Sequence, residues 1–240
     1  MGRCADPCAD SGGARGRDRP GGRHHHTGGT AVKYVDPVRN WPLTPARTAV
    51  VVVDVQAAEV EPALLEAYPE YARALSNRML PALTRLVDGA RAQGCEIVYT
   101  VIEALTADGR DRSLDHKLSD ILVPKGSPLA AVLPEARKAA DDIVLPKTSS
   151  GVFNSTILAY VLRNMGITNV IVAGLLTDQC VDMAVRDGAD LGFYMVCAAD
   201  ACVAKTDARH EQALKAFGGY CRVQTVEAIL ADIAAAADTV

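Results

Sequence analysis

The stretch Thr48-Ala-Val-Val-Val-Val-Asp-Val55 constrains the fold more than any other part of the chain. It holds five valines in eight residues without alternation of polar and apolar positions, the pattern of a strand buried on both faces. Only a sheet covered by helices on either side surrounds a strand in that way, so strand and helix should alternate along the chain. They do. Helical spacing recurs from about Ser76 to Ala92, and Gly94 marks a helix stop before a second strand, Glu96-Ile-Val-Tyr-Thr-Val101. Asp142 to Leu145, Asn169 to Ala173, Phe193 to Cys197 and Cys221 to Gln224 read as four more strands. Helices are expected over Ser155 to Asn164 (N-cap Asn154 or Ser155), Cys180 to Leu191, Asp207 to Phe217, and Thr225 to Ala236 with Thr225 as cap. Six strands joined by right-handed crossovers predict an α/β fold, a mostly parallel, doubly wound sheet between two helical layers. Ligands then bind beyond the carboxyl ends of the strands.

Apolar residues make up 49% of the 240-residue chain and aromatics 5%, so the core is expected to be built from Ala, Val and Leu. One domain over 31–240 is expected. Residues 1–30, rich in Gly, Arg, Asp and His, read as a disordered tail. Cys4, Cys8, His24, His25 and His26 are ligand types, but no hydrophobic anchor accompanies them, and no metal is expected. The formal charge of −4 and the lack of a basic face argue against nucleic acid as a partner. No apolar run approaches the roughly 20 residues that span a bilayer, and no secretory apolar segment opens the chain, so a soluble, cytoplasmic protein without a membrane partner is expected. Seven scattered cysteines read as reduced thiols. Cys197 and Cys202 lack the C-x-x-C spacing of redox motifs and read as ordinary core residues.

Three chemically distinctive residues fall at the carboxyl ends of three strands: Asp54 after the first, Lys147 just past the third, Cys180 shortly after the fourth. A buried carboxylate needs a charged partner or hydrogen bonds, and Lys147 is the natural candidate. Cys180 opens a helix, where free N–H groups and the macrodipole favour a thiolate, and Lys147 should lower its pKa further. Asp54 could then accept the thiol proton and return it to a leaving amine, while N–H groups of the turn receive an oxyanion. Taken singly, each residue has a plainer reading, as core thiol, loop cap or solvated charge. The constellation is what carries the argument.

Val-Val-Val-Asp-Val-Gln (51–56), Leu-Pro-Lys-Thr (145–148) and Gly-Leu-Leu-Thr-Asp-Gln-Cys-Val (174–181), in this order, resemble the isochorismatase-like cysteine hydrolase family over about residues 45–235. The resemblance implies strand order 3-2-1-4-5-6, with Asp54 as general base and acid, Lys147 orienting it, and Cys180 as the nucleophile of a covalent acyl- or carbamoyl-enzyme. It also implies a cis peptide between Leu175 and Leu176, with the N–H groups of Leu176 and Cys180 as the oxyanion hole, and a homo-oligomeric assembly. Metal-dependent nicotinamidases of the family carry Asp-x-His and a further His after the second strand. This chain has only His116 there, so metal-free hydrolysis without a cofactor is expected. The cysteine favours C–N cleavage of a small amide, ureido or carbamoyl substrate. A vinyl-ether hydrolase and a non-catalytic binding protein of the same fold are the alternatives.

Substrate contacts are less defined. Glu103, Arg110 and Arg112 lie on or near the long loop from Ile102 to Gly126, a candidate lid, and could read a small polar substrate. Gln56, Gln179 and Asn154 could contact substrate or support the residues that do. No Gly-x-Gly-x-x-Gly follows the first strand, so a dinucleotide cofactor has no fingerprint.

Overall fold

The computed structural model describes residues 39–237. The expected tail 1–30 and the Cys4, Cys8, His24–His26 grouping lie outside them. Six strands, β1 (Thr48–Val53), β2 (Glu96–Ile102), β3 (Ile143–Lys147), β4 (Asn169–Leu175), β5 (Tyr194–Val203) and β6 (Arg222–Gln224), form one sheet in the order β3-β2-β1-β4-β5-β6. All five pairings are parallel. The helices are α1 (Pro62–Ala67), α2 (Pro69–Ala74), α3 (Leu80–Ala92), α4 (Leu114–Leu118), α5 (Val152–Ser155), α6 (Leu158–Asn164), α7 (Asp182–Asp190), α8 (Asp207–Phe217) and α9 (Val226–Ala237).

The valine run behaves as a doubly buried strand should. Val50 and Val52 enter one core with Leu83 and Leu86 of α3 and Ile229 and Ile233 of α9. Ala49, Val51 and Val53 enter the other with Leu158 and Leu162 of α6, Val185 of α7 and Phe217 of α8. Each fully buried valine contributes about 1.5–3 kcal/mol of apolar transfer energy, and a polar residue on either face would lose that. No helix among the described residues is long and apolar enough to cross a membrane.

Several boundaries differ from the sequence expectation, each for a local reason. β1 stops at Val53, not Val55, because Asp54 turns into the left-handed region at φ 58°. β3 continues through Pro146 to Lys147, which its edge position permits, since an edge proline forfeits no ladder hydrogen bond. The helix expected over Ser155 to Asn164 is divided. The Thr156 hydroxyl accepts from Leu158 N (3.0 Å) and starts α6, while Asn154 and Ser155 bond elsewhere, to Asp187 (3.0 Å) and to the Gly151 carbonyl (2.8 Å). The helix expected from Cys180 begins earlier, as a wide turn over Thr177–Val181 that leads into α7.

Gly174 has φ 126° and pairs with Val53, and a Cβ there would sit 2.1 Å from the Val53 carbonyl oxygen, so β4 meets β1 closely only because this residue lacks a side chain. At the opposite, amino end of the sheet, Trp41 stacks on Tyr194, the first residue of β5, with centroids 4.7 Å apart and planes within 5°. An irregularity between β4 and β5 pairs Val172 with Cys197 but Gly174 with Cys202. Both cysteines therefore face the same core, fully buried, with sulfurs 3.9 Å apart.

Candidate active site

Asp54, at the end of β1, is buried and held from three directions. Its N–H donates to the Thr100 carbonyl on β2 (3.0 Å), its Oδ1 accepts from the Thr100 hydroxyl (3.1 Å), and its Oδ2 lies 2.8 Å from Lys147 Nζ. Lys147 ends β3, two strands away, and its long stem carries the ammonium over the end of β2. There Nζ also donates to the Ser149 carbonyl (2.8 Å) and to Cys180 Sγ (3.4 Å). Lys147 is wholly buried. Cys180 sits in the wide turn after β4, which is pinned to α8 by a 2.8 Å hydrogen bond between the Thr177 hydroxyl and His210 Nδ1. The Leu175–Leu176 peptide is cis.

Electrostatics correct one expectation. The Cys180 thiol is pushed up to about 12, first by burial and then by the Asp54 carboxylate, with Lys147 opposing both. Lys147 lowers it, but by less than burial and Asp54 together raise it. The resting nucleophile is a thiol beside an ion pair. Burial works against the charge of Lys147, but Asp54 and then Cys180 outweigh it and hold its pKa above the ordinary lysine value.

Asp54, Cys180, Leu176 and Gln179 line a cavity of about 220 Å³. Its remaining walls include His116, Glu59 and Lys205, none of them among the substrate contacts expected from the residue pattern. His116, on α4, is buried, and neither ring nitrogen meets a hydrogen-bond partner among the described residues. Burial and then Lys147 depress its pKa, so it faces the cavity as a neutral ring. Glu59 is raised to about 7 by burial and by Asp54, with Lys205 and Lys147 opposing. Among the described residues no group of three or more His, Cys, Asp or Glu is placed to hold a metal ion.

Other residues offered as substrate contacts are occupied elsewhere. Gln56 is fully buried, donating to the carbonyls of Ile102 (3.0 Å) and Leu129 (3.1 Å) and accepting from Ile102 N (2.6 Å), so it ties β2 to the following loop instead of facing the cavity. Glu103 accepts from Gly126 N (2.7 Å) and closes the base of that loop. Arg110 lies exposed, paired with Asp108 (3.0 Å), and Arg112 donates to the Gly109 and Ile121 carbonyls. These side chains have the right chemistry for a ligand, but local backbone and surface partners satisfy it.

A model of the isochorismatase domain matches residues 48–228. The ureidoacrylate amidohydrolase RutB of Rhizobium rhizogenes is 30% identical over 183 residues, 69% of this chain and 74% of that protein. Its counterpart from Azorhizobium caulinodans is 30% identical over 184 residues, 69% of this chain and 81% of its own. Among solved structures, a cysteine hydrolase from Pseudomonas syringae pv. phaseolicola superposes with TM-score 0.73 at 25% identity, covering 82% of this chain and 96% of that one. N-carbamoylsarcosine amidase from Thermoplasma acidophilum shares the fold, with TM-score 0.62 at 24% identity over 75% of this chain and 97% of that one. With its order of strands and three-quarters of its length matched by one model, the chain belongs to the isochorismatase domain family.

Proposed function

We propose that this chain is a cysteine amidohydrolase that cleaves a C–N bond of a small amide, ureido or carbamoyl substrate through a covalent acyl-enzyme. The observation that carries the reading is the buried Lys147 ammonium, 2.8 Å from Asp54 Oδ2 and 3.4 Å from Cys180 Sγ at the cavity wall. In the first half-reaction Sγ attacks the substrate carbonyl carbon as its proton passes to Asp54. The oxyanion is received by the N–H groups of Leu176 and Cys180. Collapse breaks the C–N bond, and Asp54 returns the proton to the departing ammonia or amine. In the second, Asp54 deprotonates a water that attacks the thioester, and the sulfur leaves and is reprotonated. Lys147 keeps its proton throughout, orients Asp54 and stabilises charge developing on sulfur.

A thiol with a pKa near 12 suits this sequence, because proton transfer accompanies attack and no standing thiolate has to be maintained in a buried site. The relatives named as amidohydrolases support C–N chemistry over ether cleavage. The test is ammonia release from a panel of small amides and ureido compounds, with intact-mass detection of the acyl-enzyme. Cys180→Ala should lower turnover by at least about 1,000-fold and abolish the adduct. Wild-type turnover by Cys180→Ala would end the proposal.

A further inference from the structure

His116 is the cavity residue whose side chain has least to hold it. It is 1% exposed, and among the described residues neither ring nitrogen meets a hydrogen-bond partner. An unmatched polar group in the interior lowers stability, so one that persists on the wall of a site calls for an explanation. Its backbone is fixed. The Ser113 hydroxyl accepts from His116 N (3.1 Å) and caps α4, and the His116 carbonyl accepts from Ile121 N (2.9 Å). Ser113 N in turn donates to the carbonyl of Thr148 (2.9 Å), the residue after Lys147. The ring is thereby tied to the segment that carries the catalytic lysine, and Lys147 and Asp54 are among the charges that act on it. Being neutral, it carries one N–H and one free lone pair in either tautomer.

Asp54, Lys147 and Cys180 offer a leaving nitrogen no free acceptor. The ammonium of Lys147 has three N–H groups, and its contacts are Asp54, the Ser149 carbonyl and Cys180. The Thr100 hydroxyl and Lys147 engage the two oxygens of Asp54. Yet the nitrogen is expelled only when its lone pair points at the protonated Asp54, and that orientation is set by whatever accepts its N–H. We propose that His116 is this acceptor, a substrate contact that orients the scissile nitrogen, and that the substrates are amides or ureido compounds whose leaving nitrogen carries at least one N–H. The inference rests on the amidohydrolase reading of the site. In the step concerned, the proton that Asp54 took from Sγ passes to the nitrogen lone pair, and the electrons of the broken C–N bond leave with the amine. His116 keeps its own proton and gains none. An ester in the same pose places an oxygen where the N–H would be and takes no hydrogen bond from the lone pair of the ring.

The test compares amides with esters of the same acyl group: the primary amide, N-methylamide and methyl ester of propionic acid, maleamate and N-methylmaleamate with monomethyl maleate, and N-carbamoylglycine with O-carbamoylglycolate. Release of ammonia, amine or alcohol is followed by chromatography for the wild type, His116→Leu, His116→Asn and His116→Gln. His116→Leu should lower kcat/KM by about 10- to 100-fold for the amides, mainly through kcat, and by less than about threefold for the esters. Asn and Gln keep a carbonyl acceptor, so at least one of them should recover about threefold or more of the amide rate without changing the esters. Since the ring nitrogens have no partner to lose, the melting temperature of His116→Leu by circular dichroism should equal or exceed that of the wild type. An equal loss on amides and esters, or no loss on amides, overturns the assignment. If the wild type cleaves no amide, the amidohydrolase reading fails and titration calorimetry on Cys180→Ala decides the contact by itself. Tighter binding of N-methylpropionamide than of methyl propionate, lost when His116→Leu is added, upholds it; equal binding or none overturns it.

Discussion

Replacing Lys147 by methionine keeps most of the volume of the side chain and removes its charge. Three interactions go with it, at 2.8 Å to Asp54, 2.8 Å to the Ser149 carbonyl and 3.4 Å to Cys180. What remains is a carboxylate 1% exposed, with the Thr100 hydroxyl as its side-chain donor. Removing one member of a buried pair costs about 3–5 kcal/mol, mostly because the other charge is stranded. With a urea m-value of about 2–3 kcal/mol/M, the unfolding midpoint should fall by about 1–2.5 M. Because the pKa of Lys147 is raised, the contribution of the pair is complete below the ordinary lysine value of 10.5 and is lost only as pH rises through the higher folded value. Measurements at pH 7–9 therefore see it whole. Asp54→Asn in the same chain removes the stranded charge, so the double variant should be at least about 1 kcal/mol more stable than Lys147→Met alone, though equally inactive. Urea titrations of the wild type, both single variants and the double variant complete the cycle. A cost below about 1 kcal/mol for Lys147→Met, or a double variant whose loss is the plain sum of the singles, would refute the coupling argued from this geometry.

Other expectations follow from the cavity and its surroundings. Glu59 has a folded pKa of about 7 against an ordinary 4.5, so its contribution to stability is fully present below 4.5 and is lost as pH rises to 7, by up to about 3 kcal/mol. Glu59→Gln should flatten that part of the stability profile in denaturant titrations from pH 4.5 to 8, and an unchanged slope counts against the assignment. Alkylation of Cys180 by iodoacetamide, followed by peptide mass mapping, should be slow at pH 7 and accelerate about tenfold per unit between pH 8 and 10. A rate that is already on a plateau below pH 8 contradicts a thiol raised to about 12. Gln56→Leu strands the N–H of Ile102 and two carbonyls and should cost about 2–4 kcal/mol, whereas Arg110→Ala should alter stability by less than about 0.5 kcal/mol and kcat/KM by less than twofold. A large activity loss in Arg110→Ala would return that residue to the list of substrate contacts.

The architecture was legible because burial on both faces leaves a compositional mark: the valine run could belong only to an interior parallel strand. Asp54, Lys147 and Cys180 stood out for the opposite reason, as polar or reactive groups placed where apolar or turn residues would be ordinary. Lys205 and Glu59 carried no such mark. Along the chain Lys205 looks like Lys117, which spends its ammonium on the Arg110 carbonyl, and only the packing of Tyr68 and Tyr71 distinguishes them. Gln56 and Glu103 have the chemistry of ligand contacts, but which carbonyl or N–H they meet depends on loop conformation. The direction of the Cys180 shift is hidden from the sequence for a related reason. A helix start and a nearby lysine are visible in sequence, while the extent of desolvation and the closeness of the Asp54 carboxylate are properties of packing.

The stack of Trp41 on Tyr194 has a practical consequence for such measurements. Trp41 is the chain's one tryptophan and lies at the amino end of the sheet, whereas the cavity opens at the carboxyl end. Its emission is therefore a reporter of a single edge of the molecule: it should register detachment of the segment that leads into β1, and it should be silent to a ligand arriving at Cys180. A thermal melt followed by tryptophan fluorescence and one followed by ligand protection would then be observing opposite ends of the same sheet, and any gap between the two midpoints would measure how far those ends unfold together.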